Sequence, residues 1–295
     1  MSNKKSILVT GGAGFVASNL IKIFLARTKF NIISLDNYSS GSKKNHIKNR
    51  RVKYLKGHTK NIVNLIKHPK TIHSIFHFGE FARIYQSFIK LDECVNSNFI
   101  GSNAVFNFCL KNNIKLIYSA TSASLGNKGK DKNLSPYAFS KATNLEILEN
   151  LKKYFKFKFE VLYFYNVYGP HHITKGSMAT VIGIFEDQYL RKKPLSVVNP
   201  GTQTRRFTHI KDTVEICYLA WKKGLNRHYI ITNKKSYSIK EVAKMFKSKI
   251  TYLPKRSGER YSSALVNKNL SNKIYTFFGK ISLKNYINDF IKQHS

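Results

Sequence analysis

Tyr137 and Lys141 stand four residues apart in Tyr137-Ala-Phe-Ser-Lys141, a spacing that sets two side chains on one face of a helix. A phenol near its ordinary pKa of about 10 is a poor base at neutral pH, and a neighbouring ammonium favours its ionised form. The pair is therefore a candidate acid/base couple. Thr121 adds a hydroxyl that could bind and orient a substrate hydroxyl. It follows the run Lys115-Leu-Ile-Tyr-Ser119, at the C-terminal edge of what reads as a strand, where open α/β sheets hold their ligands. Near the start of the chain, Thr10-Gly-Gly-Ala-Gly-Phe15 has the makings of a phosphate cradle. Gly11 permits a tight turn and Gly14 lets a pyrophosphate approach bare backbone, while Phe15 and Val16 open a helix whose N–H groups face the anion. Asp36 lies about 20 residues beyond the loop, where a carboxylate accepts from a ribose 2′-hydroxyl and repels a 2′-phosphate. Each feature alone has an ordinary reading: a tight turn, a capped strand end, a solvated helix face. Strand, loop, helix, strand and acid in this order favour a dinucleotide site, and Asp36 favours NAD over NADP.

These residues need a scaffold, and the hydrophobic pattern supplies one. Ile7-Leu8-Val9 and Ile32-Ile33-Ser34-Leu35 read as buried strands. Val52-Lys-Tyr-Leu55, Ser74-Ile-Phe-His-Phe-Gly79 and the run ending at Ser119 continue the series. Between them, helical spacing runs from Phe15 to Arg27, and one long helix is expected over 92–112. Pro136 opens another that carries Tyr137 to Lys152. Strands alternating with helices at this pitch predict an α/β protein, a Rossmann doubly wound parallel sheet. Residues 1–168 are expected to form the NAD-binding domain. Residues 169–295 are expected to form a smaller C-terminal substrate-binding lobe, with some segments returning to the main sheet. Further helices are expected around 179–191, 213–223, 238–246 and 282–292.

Composition narrows the class. With 295 residues, 42% hydrophobic and 13% aromatic, the chain can bury a large core and is not disordered. No apolar run approaches membrane-spanning length, and Met-Ser-Asn-Lys-Lys leads straight into a strand, so neither a membrane span nor a secretion signal is expected. Three widely spaced cysteines, Cys94, Cys109 and Cys217, fit neither a disulfide framework nor a metal site and point to a reducing cytoplasm. His171-His172 reads as loop polarity rather than a metal pair, because adjacent residues point different ways. The net charge of +36 comes from lysines scattered along the chain without a nucleic-acid module. Solvated surface is the simpler reading, and no specific nucleic-acid partner is expected.

Several segments together carry a family resemblance. They are Thr10–Phe15, Asp36-Asn37, Asn98-Phe-Ile-Gly-Ser102, Thr121, Tyr137–Lys141 and Tyr165-Asn-Val-Tyr-Gly-Pro170. Gly201-Thr-Gln-Thr-Arg205, Phe207-Thr-His-Ile-Lys-Asp212 and Arg256-Ser-Gly-Glu259 continue the series. With them, over nearly its whole length, the chain resembles extended short-chain dehydrogenase/reductases of the nucleoside-diphosphate-sugar epimerase/dehydratase family. The resemblance implies Tyr137 as the acid/base, Lys141 also holding the nicotinamide ribose, and Thr121 on the substrate hydroxyl. It implies Asn37, Phe78 and Asn98 beside the cofactor, and Asn166, Arg205 and Arg256 on the substrate diphosphate and nucleoside. It also implies a nucleotide-sugar substrate and a homodimer. Several positions depart from the family pattern, among them Arg206 and Lys211, which stand where acids are frequent. His58 stands where an acid usually meets adenine, and Glu80 replaces a small residue in the loop after the fourth strand.

For the reaction, dehydratases of this family carry an Asp-Glu pair directly after the threonine, whereas here Ser122 and Ala123 follow Thr121. NAD-dependent 4-epimerisation of a nucleotide sugar is the expectation. A dehydratase, a 4-keto-sugar reductase on the same scaffold, and a non-catalytic NAD or basic-surface binder are the alternatives. Seven positions after Arg256, Ser263 stands where the family gates room for a 2-N-acetyl group, so N-acetylhexosamine nucleotides are expected to fit as well as hexoses.

Overall fold

The apolar, β-branched run around Ile7-Leu8-Val9 forms β1 (Ser6–Thr10), buried at every position. The computed structural model describes residues 5–125, 133–256 and 274–295. Strands β2 (Asn31–Asp36), β3 (Val52–Lys56), β4 (Ile72–His77), β5 (Lys115–Thr121) and β6 (Phe159–Phe164) follow in turn. With His228–Thr232 and Ile274–Phe278 they make one eight-stranded sheet, parallel at every pairing. Its order is Ile274–Phe278, His228–Thr232, β6, β5, β4, β1, β2, β3. The order reverses between β1 and β4, where Thr10 is in register with His77. Open sheets of this kind bind ligands at that switch point.

Both faces are covered, as a doubly wound sheet requires. On one side, Leu20, Ile21 and Phe24 of α1 (Phe15–Arg27) pack with Val214 and Cys217 of the helix Ile210–Lys223. On the other, Val105 and Phe106 of the helix Ser102–Lys111 join Leu148 of the helix Pro136–Phe155. Beyond Gly169 a separate cluster gathers Ile182, Phe185, Leu195, Val242, Phe246 and Ile287. These come from the helices Val181–Leu190, Ile239–Met245 and Leu283–His294 and their connections.

Helix starts differ from the sequence reading by one to three residues, and side-chain caps explain the differences. Thr180 accepts from the Gly183 N–H at 3.1 Å, so that helix begins at Val181. The His209 imidazole caps the next by accepting from the Lys211 N–H at 3.2 Å, which moves its start back to Ile210. The long helix expected over 92–112 is interrupted. Leu91–Val95 and Ser102–Lys111 are α-helical, with a π-helical stretch at Asn96–Gly101 between them. Such bulges are frequent at functional sites, and this one carries Asn98. Among the described residues no helix is long and apolar enough to cross a membrane. Cys94, Cys109 and Cys217 are buried and unbridged.

Candidate active site

At the switch point, a cavity of about 520 Å³ opens along the C-terminal edges of the central strands. Gly11 starts its floor with φ +66°. A Cβ there would lie 2.9 Å from the Gly79 backbone, so the ends of β1 and β4 approach too closely for a side chain. The Gly14 N–H donates to the Gly11 carbonyl at 2.9 Å, closing the turn. Gly14 then caps α1 with no side-chain hydrogen bond, which leaves the first N–H groups of the helix to an anion. Gly11, Gly14, Phe15 and Val16 all line the cavity. These bare glycines and open N–H groups fit a pyrophosphate.

Asp36 ends β2 beside this loop and is 5% exposed. Its carboxylate accepts from the Ala13 N–H at 2.9 Å and the Tyr38 N–H at 2.7 Å. Burial raises its carboxyl above the ordinary range, and the two N–H donors oppose that rise. Asn37 and His58 line the cavity nearby, and the His58 ring accepts from the Lys60 N–H at 3.1 Å.

One end of the cavity is built by β5 and the helix Pro136–Phe155. β5 delivers Thr121 at its last position, with the hydroxyl accepting from the Ala123 N–H at 3.2 Å. Ser135 caps the helix by accepting from the Ala138 N–H at 3.1 Å, and Pro136 occupies its first turn. Tyr137 and Lys141 then face the cavity one turn apart. Burial pushes the Tyr137 phenol up to about 12, hydrogen bonding with Thr121 lowers it, Glu80 raises it and Arg83 lowers it.

Lys141 is not the bare cation that the Tyr/Lys spacing implied. Its ammonium, 4% exposed, pairs with Glu80 and donates to the Ser119 carbonyl. It also lies 4.6 Å from the centre of the Tyr118 ring. Burial pulls Lys141 down and Glu80 pulls it back up. The Glu80 carboxylate accepts in addition from Ser102 at 2.8 Å, Tyr118 at 3.0 Å and Asn144 at 3.3 Å.

Asn166, Arg205 and Arg256 line the same cavity. Asn166 adopts φ +30° and donates to the Arg206 carbonyl at 3.1 Å. The Arg256 guanidinium lies over the Tyr85 ring at 5.5 Å. Phe78 lines the cavity as well. Asn98 does not reach it. Its amide is occupied behind the wall, accepting from the Phe81 N–H at 2.7 Å and donating to the Phe81 carbonyl at 3.1 Å and Ser140 at 3.0 Å. Ser263 lies outside the described residues. Of the His171-His172 pair, His172 is buried against Glu186 at 2.7 Å. Among the described residues no group of three or more His, Cys, Asp or Glu could hold a metal.

Sequence reading missed Arg83, whose Nε donates to the Met178 carbonyl at 3.0 Å, tying the loop after β4 to the far wall of the cavity. It noted Glu80 as a departure without its buried contacts. Both lie in the loop just past β4, the edge where such sheets place ligands, and that position was the available signal.

Comparisons with known proteins agree with this architecture. A putative UDP-glucose 4-epimerase of Methanocaldococcus jannaschii is 26% identical over 275 residues, covering 86% of this chain and 88% of that one. An ADP-L-glycero-D-manno-heptose-6-epimerase of Fusobacterium nucleatum is 28% identical over 233 residues, covering 72% of this chain and 70% of that one. The crystal structure of a UDP-glucose 4-epimerase of Thermotoga maritima with UDP-glucose superposes with a TM-score of 0.85 at 24% identity, over 97% of each chain. The sequence profile of the NAD dependent epimerase/dehydratase family matches residues 7–232, and the chain belongs to that family.

Proposed function

We propose that the chain is an NAD-dependent nucleotide-sugar 4-epimerase acting on a UDP-hexose or UDP-N-acetylhexosamine. The observation that carries this reading is the meeting of Thr121, Tyr137 and Lys141 at one end of a glycine-floored cavity, with Ser122 and Ala123 directly behind Thr121. Elimination of water needs a further acid/base group close to the sugar, beyond Tyr137. Among the described residues that line this end of the cavity Glu80 is the acidic side chain, and its two oxygens already accept from four side chains. Relatives named as UDP-glucose epimerases lend further support.

In this reading Thr121 binds the sugar hydroxyl at C4 and holds it against Tyr137. Tyr137 takes the hydroxyl proton on the outward half of the reaction and returns one on the inward half. NAD, which Gly11, Gly14, Asp36 and Lys141 would hold, would supply reversible hydride chemistry at C4. Lys141 orients the ribose of that cofactor. Arg205 and Arg256 hold the diphosphate while the 4-keto sugar turns its other face, a task suited to forked guanidinium donors.

The test is incubation with a panel of nucleotide sugars, with no cofactor added, followed by NMR. The expected product is the C4 epimer of a UDP-sugar, lost in Tyr137→Phe. A dehydrated 4-keto product, or no conversion of any panel member by NAD-loaded protein, would refute the reading.

A further inference from the structure

Glu80 and Lys141 form a buried ion pair that the proposed acid/base role of Tyr137 leaves unexplained. The Glu80 side chain is 2% exposed. It sits in the loop after β4 and gathers donors from three other elements: Ser102 and Tyr118, together with Lys141 and Asn144 of one helix. Its partner Lys141 has three N–H bonds. One goes to Glu80 and one to the Ser119 carbonyl, leaving one for a ligand hydroxyl.

We infer that Glu80 is a positioning residue: its carboxylate anchors Lys141 against Ser119 and cancels the lysine's charge as Tyr137 feels it. The inference rests on the reading of Tyr137 as the acid/base. A buried ammonium beside the phenol would otherwise favour the phenolate at all times. Neutralised, Lys141 can hold a ribose without keeping Tyr137 ionised. Burial outweighs the lowering by Arg83, so Tyr137 then keeps its proton unless a positive charge beyond Arg83 stands beside it, which the oxidised nicotinamide ring carries and the reduced ring lacks. A reaction that runs out and back needs that property, since the same residue must be a base in one half and an acid in the other.

The groups around the pair support this charge balance. Facing Glu80 are Lys141, Tyr118 of β5, His77 of β4 and Cys94 of Leu91–Val95, while Arg83 faces Tyr137. Burial pushes His77 down to about 4, Cys94 up to about 11 and Tyr118 well up, so all three are neutral at pH 7. Glu80 and Lys141 are left as opposed charges in a dry site, where losing one strands the other.

Glu80→Gln keeps the shape and a hydrogen-bond acceptor but removes the charge. Tyrosinate absorption of the NAD-loaded protein is titrated, and the Tyr137 step is isolated by subtracting Tyr137→Phe in the same background. The step is expected to move to lower pH by about one unit or more in Glu80→Gln and to move less in Glu80→Asp, which retains the charge. Tyr137 and Lys141 titrate as a coupled pair, so the shift is read for the pair as a whole. A step that stays in place or rises in Glu80→Gln overturns the inference. If Glu80→Gln alone fails to fold, a second measurement decides. Lys141→Met is expected to melt lower than wild type because it strands Glu80, and adding Glu80→Gln is expected to restore part of that loss. A double variant no more stable than Lys141→Met alone also overturns it. Neither measurement uses a sugar nucleotide, so both remain readable even if the 4-epimerase reading fails.

Discussion

Asp36 accepts the N–H groups of Ala13 and Tyr38, so its carboxylate holds the glycine loop in shape as well as facing the cavity. The sequence position argues for the ribose contact. The loop contacts appear only once the chain folds back on β2. Asp36→Ala is expected to weaken NAD binding by roughly 10- to 100-fold, the scale of hydrogen bonds to a charged group. NADP should lose less, because relief of repulsion toward its 2′-phosphate offsets the lost acceptor. Calorimetric titration of both cofactors checks this, and equal losses would mean that Asp36 acts on the loop alone. Asp36→Ala should also lower the melting temperature, since two N–H groups lose a charged partner.

At the scale of elements, the turn between β1 and α1 depends on one glycine. Gly11 holds φ +66°, and a Cβ would press to 2.9 Å against backbone atoms of Gly79 and Phe78. The left-handed conformation alone costs an ordinary residue about 1–2 kcal/mol. The clash adds to that, because the obstacle is backbone that β4 fixes. Gly11→Ala is expected to weaken NAD binding more than tenfold and to lower the melting temperature. Near-normal affinity would show that β1 and β4 can separate cheaply at their ends. This turn was legible in the sequence because its cause is local: a loop needing Gly at a fixed place between a strand and a helix. The strands were legible for the same reason, in their β-branched runs. The π-helical stretch at Asn96–Gly101 was not, since Asn98 finds its partner Phe81 only after two elements 17 residues apart have docked. Neither were the contacts of Glu80, whose partners Ser102, Tyr118, Lys141 and Asn144 are scattered over the chain. Sequence spacing sets Tyr137 and Lys141 one turn apart on the helix, yet the charge acting on Tyr137 also depends on Glu80 and Arg83.

On the scale of the whole molecule, a net charge of +36 opposes compaction, and protonation of histidines in acid adds to it. His77 supplies a second, distinct acid sensitivity. It lies fully buried between Thr10 at 2.8 Å and Ser102 at 3.0 Å, linking the glycine turn to the Glu80 cluster. Burial pushes it down to about 4; Glu80 raises it and Lys141 lowers it. In the unfolded chain the same imidazole titrates near 6.5. Between those two values the unfolded chain binds more protons, so stability falls with falling pH. The contribution of neutral His77 is complete above about pH 6.5 and is lost as pH drops toward 4, with a size on the order of 3 kcal/mol. His209, also pushed down to about 4 by burial, acts in the same direction. Salt separates the two effects, because ions screen exposed charges and leave a buried imidazole untouched. In about 0.5 M salt, wild-type melting temperature should still fall between pH 6.5 and 4.5. His77→Gln keeps polar partners for Thr10 and Ser102 but cannot be protonated. It should start lower at pH 7 and fall less over the same range. An equally steep fall in both proteins at high salt would mean that the acid-sensitive proton binds elsewhere.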